Sequence, residues 1–291
     1  MPRKRSAPSP EDPAWSDPNL REPRYSQSLE RGLAILACFT PARPVLGIAD
    51  IADSLGMSRS TTHRYVITLV ALGYLEQGAS RKYRLGLRVT DLGMAALSST
   101  GLREHAHAYL QELRERTSCT AGIGVLDGTE VVFVDRVQSF RRGRPAADIE
   151  PSPGARLPAY CTAMGKLLLA HLPEGEQGPR VSALRPSRRT PTTITSKRAL
   201  REQLRELQGA SLAVNDGELT AGLYAIAAPV RDGGREVVAA VGLAAPAASI
   251  PLREMVDALG PHLIAAADRI SSRLGYRRED ERTGPPGAPV A

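Results

Sequence analysis

The sequence predicts an α+β protein in two folded units: a small helical unit, then a larger one built on a mainly antiparallel sheet with peripheral helices. Three observations carry this. Apolar residues recur at helical spacing between Ser26 and Leu75. From Cys119 onward the pattern changes to paired β-rich runs, with Asp127-Gly128 and Asp232-Gly233-Gly234 as the turns between partners. The positive charge is uneven, because residues 1–90 hold 13 Lys and Arg against 8 Asp and Glu in a chain whose formal charge is only +7.

The 291 residues suit one large domain or two ordinary ones. Residues 1–24 and the tail 276–291 are rich in proline and charge and are expected to be disordered. The first twenty residues, MPRKRSAPSPEDPAWSDPNL, lack the apolar stretch of a secretory signal. No apolar run reaches the roughly 18–20 residues that a membrane helix needs. The expectation is therefore a cytoplasmic chain with no membrane partner. Cys38, Cys119 and Cys161 are odd in number and form no C-x-x-C pair, so neither a disulfide framework, a zinc site nor another metal or cofactor is expected.

The first helix is SQSLERGLAILACF, with Leu29, Leu33, Leu36 and Phe39 at helical spacing. GIADIADSLG follows as a short helix with Ile48, Ile51, Ala52 and Leu55 on one face, stopped by Gly56. Ser58 then caps a third helix, RSTTHRYVITLVALGYL. At about 100° per residue, Thr62, Tyr65, Val66, Leu69 and Gly73 share one face. Ser60, Arg64 and Ala71 lie opposite, with Thr61, His63 and Thr68 on the flanks and Arg59 in the first turn. Two helices joined by a tight glycine turn, the second polar at its front, form a helix-turn-helix, whose second helix enters the major groove of double-stranded DNA. Tyr74-Leu75 and Tyr83-Arg84-Leu85 bracket a Gly-Ala-Ser turn and read as a hairpin carrying Arg81, Lys82 and Arg84, a basic wing placed for phosphates. The DNA-facing candidates are Arg59, Ser60, Thr61, Thr62, His63, Arg64, Arg81, Lys82 and Arg84, with Thr62 partly packed. Arginine suits guanine edges, and Ser or Thr suits bases or phosphates. This gives a winged domain over residues 25–86 and a linker helix over 87–100.

The larger unit, 101–275, opens with the helix LREHAHAYLQELRERTS and the hairpin CTAGIGVLDGTEVVFVDRV. Helices are expected over residues 161–172, at SKRALREQLRELQ with Ser196 as cap, and at PLREMVDALGPHLIAAADRISSRL with a bend at Gly260-Pro261. LYAIAAPVRDGGREVVAAVGLAAP supplies two more strands.

Four stretches in this order, SLERGLAIL, SRSTTHRYVITLVALGYLE, RLPAYCTAMGKLLLA at 156–170 and VNDGELTAGLYAIAAPV at 214–230, resemble the IclR family of bacterial transcriptional regulators. The resemblance runs from about Ser26 to Leu274. It implies a winged helix-turn-helix, a linker helix and a GAF-like effector-binding domain. It also implies a homodimer or dimer of dimers on a palindromic operator, acting as a repressor or an activator. RLPAYCTAMG is most similar to the subgroup that governs aromatic-acid catabolism through the β-ketoadipate pathway. The family's pocket, carried onto this chain, falls on Cys161, Ala163, Met164, Asn215, Asp216, Ala225, Gly242 and Ala244. Some relatives have Asp in place of Asn215, Cys in place of Ala225 and Ser in place of Gly242 and Ala244. This pocket is thus expected to be less polar and to take a larger or more apolar organic acid than a very small keto acid.

Other constellations stand beside these. Cys161 stands at or before a helix start, where the dipole can lower a thiol pKa, and a hydrolase working through it is the alternative from another class. The nearest histidine along the chain, His171, stands ten residues on. His105 and His107 are two apart on a helix and face different ways, unlike a metal pair. FRRGR at 140–144 reads as a solvated loop that could steer an acidic effector. An architectural DNA-binding protein without effector would need only the winged unit, which the large, nearly neutral second unit argues against.

Overall fold

The computed structural model describes residues 26–40, 42–78, 80–98, 101–139 and 152–277. The arm 1–24, the FRRGR loop and the tail beyond Arg277 lie outside the described residues. The chain divides into two compact units at Ala96–Leu97.

In the first unit, helix α1 (Gln27–Ala37) is capped by the Ser26 hydroxyl, which accepts from the Leu29 N–H. Only its C-terminal part meets the core, through Ile35 and Leu36, and Phe39 just beyond its end is buried there too. Of the four apolar residues at helical spacing, Leu29 and Leu33 are 64% and 53% exposed, while Phe39 is buried and Leu36 packs against the core. The spacing of the four residues was helical, but the helix docks by its last turns, so its front half stays outside. Helix α2 (Ile48–Leu55) buries Ile51 and Ala52 and ends at Gly56, whose φ of 63° is the left-handed conformation that lets the chain turn sharply into the next helix. Helix α3 (Arg59–Ala71) buries Thr62, Val66 and Leu69 against that core. Strands β1 (Leu75–Gln77) and β2 (Tyr83–Leu85) pair antiparallel, Leu75 opposite Leu85. Leu46 bonds to Tyr83 in both directions, at 3.0 and 2.8 Å, and anchors the hairpin's free edge. Helix α4 (Arg88–Ser98) follows.

The second unit is built on a six-stranded antiparallel sheet in the order β5-β4-β3-β8-β7-β6. Its strands are β3 (Thr120–Asp127), β4 (Glu130–Val137), β5 (Arg156–Pro158), β6 (Ala213–Asp216), β7 (Leu223–Arg231) and β8 (Val237–Pro246). Because side chains alternate across a strand, the sheet has two different faces. One carries Ile123, Ile226, Val230, Val241 and Leu243 and is covered by α5 (Leu102–Thr117) and α10 (Gly260–Arg273). The other offers mostly glycine and alanine, among them Gly124, Ala227, Ala240 and Gly242, and receives α6 (Ala163–Ala170). Helices α7 (Gln177–Ala183) and α8 (Lys197–Glu206) pack on α6.

The expected closing helix is interrupted as Gly260-Pro261 suggested. A short helix α9 (Leu252–Glu254) passes into a π-turn (Met255–Leu259) before α10 begins with the proline in its first turn. Proline has no N–H to return, so the wider turn forms immediately ahead of it. No helix among the described residues is long and apolar enough to cross a membrane.

Candidate DNA interface and effector site

The front of α3 is organised by Ser58. Its hydroxyl accepts from the Thr61 N–H at 3.2 Å, donates to Thr61 Oγ1 at 2.8 Å and lies 3.1 Å from the Ser60 hydroxyl. Arg59, Ser60, His63 and Arg64 are exposed and Thr61 is half-buried. Thr62 is not part of this surface: it is fully buried, and its hydroxyl donates back to the Ser58 carbonyl at 3.0 Å. It lies on the core stripe with Val66 and Leu69, so packing takes it from the DNA-facing set. The Tyr65 phenol is held below its ordinary pKa, first by the Ser28 side chain of α1 and, against the opposing effect of burial, by Arg31.

The wing presents Arg81 and Lys82 as exposed cations, Arg81 with a φ of 56°. Arg84 differs from expectation. Directly across the hairpin, its guanidinium donates twice to the same oxygen of Glu76, at 2.9 and 2.8 Å. Both partners are well exposed, and a pair in water contributes little, so a phosphate can compete for Arg84 more easily than the geometry alone implies.

In the second unit, β-pairing brings Asn215, Ala225 and Ala244 side by side across β6, β7 and β8. Gly242 lies two residues along β8 on the same face. The side chain of Met164, in the first turn of α6, lies against Gly242: a Cβ placed there would stand 2.8 Å from Met164 Cε and 2.9 Å from the Ile226 carbonyl. Ala163 and Cys161 are buried beside it. The next residue along β6, Asp216, alternates to the other side and is exposed, so it is the one effector candidate that the fold keeps off this row.

The start of α6 is joined to the turn after β6 by a polar network. Asn215 Nδ2 donates to the Cys161 carbonyl at 2.8 Å, and Asn215 Oδ1 accepts from the Glu218 N–H at 3.2 Å. Lys166, with no exposed surface, pairs with the carboxylate of Glu218. Thr190 and Thr193 donate to the Glu218 carbonyl at 3.3 and 2.7 Å, and Thr192 to the Asp216 carbonyl at 2.9 Å. Tyr160 donates to the Ser187 carbonyl at 3.0 Å. Sequence reasoning missed Lys166, Glu218 and these threonines. The available signal was a lysine inside the apolar run AMGKLLLA, since a charge there must find a partner.

Cys161 lies in a 3₁₀ turn (Ala159–Cys161) just ahead of Thr162, which caps α6 by accepting from the Gly165 N–H. The expected dipole effect loses to burial, which pushes the thiol up to about 11 against a smaller lowering by Arg189. A thiol so held is neutral at ordinary pH and is not a nucleophile. Burial likewise depresses the His171 pKa, and its Nδ1 is engaged with the Leu167 carbonyl at 2.9 Å. His107 meets Asp135 at 2.6 Å rather than His105. Among the described residues, no three His, Cys, Asp or Glu converge as metal ligands.

Residues 28–79 match the IclR helix-turn-helix domain, and residues 94–272 match the C-terminal domain of bacterial IclR transcriptional regulators. The chain is 33% identical over 251 residues to the HTH-type transcriptional regulator XynR of Escherichia coli, covering 86% of this chain and 98% of that one. It is 30% identical over 253 residues to the Pca regulon regulatory protein of Pseudomonas putida, covering 87% and 86%. The crystal structure of an IclR homolog from Microbacterium hydrocarbonoxydans complexed with 4-hydroxybenzoate superposes with a TM-score of 0.74 at 28% identity, covering 85% of this chain and 98% of that one. The matched regions take in both units, the capped α3 and the row of residues beneath α6, and the chain belongs to the IclR family of bacterial transcriptional regulators.

Proposed function

We propose that this DNA-binding regulator is a cytoplasmic homodimer that reads a palindromic operator and is controlled by a small organic acid, aromatic or keto, bound beneath α6. The observation that carries the effector reading is the row Asn215–Ala225–Ala244 with Gly242 alongside. It is a patch of small apolar residues with one buried amide, overlaid by the flexible Met164. An apolar site with few polar groups is the usual form of a small-molecule pocket. The 4-hydroxybenzoate named for the Microbacterium relative supports an aromatic acid.

Apolar side chains left in water support the dimer: Leu29 and Leu33 on α1, Leu87 before α4, and Leu92 on it. A second copy would cover them. Control follows from linkage. The acid binds one state of the dimer better than another, and the operator does the same, so each shifts the other's affinity by an equal factor. No observation favours the hydrolase alternative, since its required thiolate is suppressed by burial.

The test is a mobility-shift titration on the chain's own upstream DNA at fixed salt, with and without a panel of aromatic and keto acids. A specific shift that one acid changes is the expected result. A specific shift that no acid alters would remove the effector reading and leave the DNA reading standing.

A further inference from the structure

Ile67 occupies a place on α3 that neither the core nor the roles assigned above explain. Among the exposed residues of this helix, Ser60, His63, Arg64, Ile67, Thr68 and Ala71 follow one stripe at helical spacing, with Arg59 exposed in the first turn. Ile67 is 47% exposed and lies one turn beyond His63 and Arg64. The core of the unit takes Val66 and Leu69, with Tyr65 and Val70 packed against it, and leaves Ile67 out. A solitary exposed isoleucine is ordinary on most surfaces. Here it interrupts the polar stripe of a recognition helix, where a charged or hydroxyl residue would be better solvated in the free protein.

The distance from Ser60 to Ile67 is about 10 Å along the helix axis. For a helix that lies along the major groove, whose roughly 12 Å width admits it, that equals about three base steps. A helix that sets Ser60 and Arg64 against base edges therefore brings Ile67 to the same groove. Isoleucine has neither donor nor acceptor, and on the base edges of that groove the apolar group is the C5-methyl of thymine. Being β-branched, Ile67 is held near one rotamer in a helix, so little side-chain freedom is lost on contact.

We propose that Ile67 reads a thymine, packing against its C5-methyl about three base pairs from the position that Ser60 faces. The inference rests on α3 being the DNA-reading helix and adds the base class that its second exposed turn selects.

Random-sequence selection with the full wild-type chain gives its preferred operator. Each thymine is then replaced singly by deoxyuridine, which deletes one methyl and leaves the hydrogen-bonding edge unchanged. Wild-type and Ile67→Ala chains are titrated on the whole set and on random DNA at one salt concentration. The expected result is at least one thymine whose methyl is worth about fourfold in affinity to the wild type, the loss of one buried methyl. At that position Ile67→Ala binds thymine and uracil alike, while its affinity for random DNA matches wild type. Specific binding with no methyl effect in the wild type, or with every methyl effect retained in Ile67→Ala, overturns the proposal alone. A wild-type chain that selects no sequence removes the DNA-reading role of α3, and the proposal falls with it.

Discussion

Asn215 donates its side-chain amide to the Cys161 carbonyl at 2.8 Å and with its oxygen accepts the Glu218 N–H at 3.2 Å, so one buried side chain holds two segments 54 residues apart on one side and three apart on the other. Replacing it leaves a buried carbonyl and a buried N–H without their partner. Asn215→Ala is expected to lower stability by about 2–4 kcal/mol, since each unmet buried group costs roughly 1–3 kcal/mol and some relaxation follows. Urea unfolding measures this. A loss below about 0.5 kcal/mol would mean that the network does not hold the turn.

The Lys166–Glu218 pair gives a non-additive expectation. Lys166→Met strands a buried carboxylate and should cost about 3–5 kcal/mol. Adding Glu218→Leu should recover a substantial part of that loss, because an apolar pair of similar volume needs no counter-charge. Strict additivity of the two substitutions in a double-mutant cycle would show that they do not act as a pair.

At the DNA interface, Arg64→Ala should weaken operator binding by about 1–3 kcal/mol and leave random-sequence binding nearly unchanged, as a base-reading residue does. Lys82→Ala should weaken binding to both alike and reduce the slope of log affinity against log salt by about 1. Equal losses on operator and random DNA for Arg64→Ala would place that residue on the backbone instead.

Cys161 supplies a pH dependence whose sign follows from burial. Its folded pKa is raised from the ordinary 9.0 to about 11, so the neutral thiol is the form the fold prefers. Its contribution is fully present below pH 9 and is lost as pH climbs toward 11, because the unfolded chain ionises first. At about 1.4 kcal/mol per unit, wild type should lose roughly 2–3 kcal/mol more than Cys161→Ala over that interval. Parallel stability curves for the two chains across pH 8 to 11 would contradict it.

Gly242 and Met164 should also couple. A methyl at residue 242 meets the Met164 terminus at 2.8 Å and the Ile226 carbonyl at 2.9 Å. Gly242→Ala is expected to cost about 1–3 kcal/mol as an overpacked site. Met164→Ala should relieve part of this and not all, because the backbone oxygen stays. Thermal unfolding of the three variants tests the ordering.

Local chemistry explains which of these features were legible in the sequence. Ser58 and Ser196 were readable as caps because their partners lie three residues away, at Thr61 and Ala199. Gly56 was readable for the same reason, and so was the stripe of α3 that joins Tyr65, Val66 and Leu69. Thr62 was only half read: its place on that stripe was visible, but the back-bond to Ser58 that completes its burial was not. Leu29 and Leu33 indicated the helix α1 that forms, but periodicity does not show which part of a helix docks. Strand β5, with three residues, strand β6, with four, and helix α7, with seven, are too short to give a pattern. Asn215, Ala225, Gly242 and Ala244 share one face of the sheet with Met164 laid against Gly242, and Asp216 points to the other side; that adjacency depends on strand register, which local sequence does not show. Lys166 and Glu218 were beyond reach, because their contact spans 52 residues and arises only when α6 settles on the sheet.

The two faces of the large sheet also differ in what a substitution does to them. On the α5 and α10 side, branched side chains interlock, and a change of one methylene disturbs several neighbours. On the α6 side, alanine and glycine set a floor with little relief, so enlarging one residue reshapes the space above it while the interlocked side stays as it was. On the effector reading proposed above, the domain keeps its architecture and its chemical taste on opposite surfaces of the same strands, and single codon changes at Ala225, Gly242 or Ala244 would alter the second without the first, with compensation available from the pliable Met164 thioether.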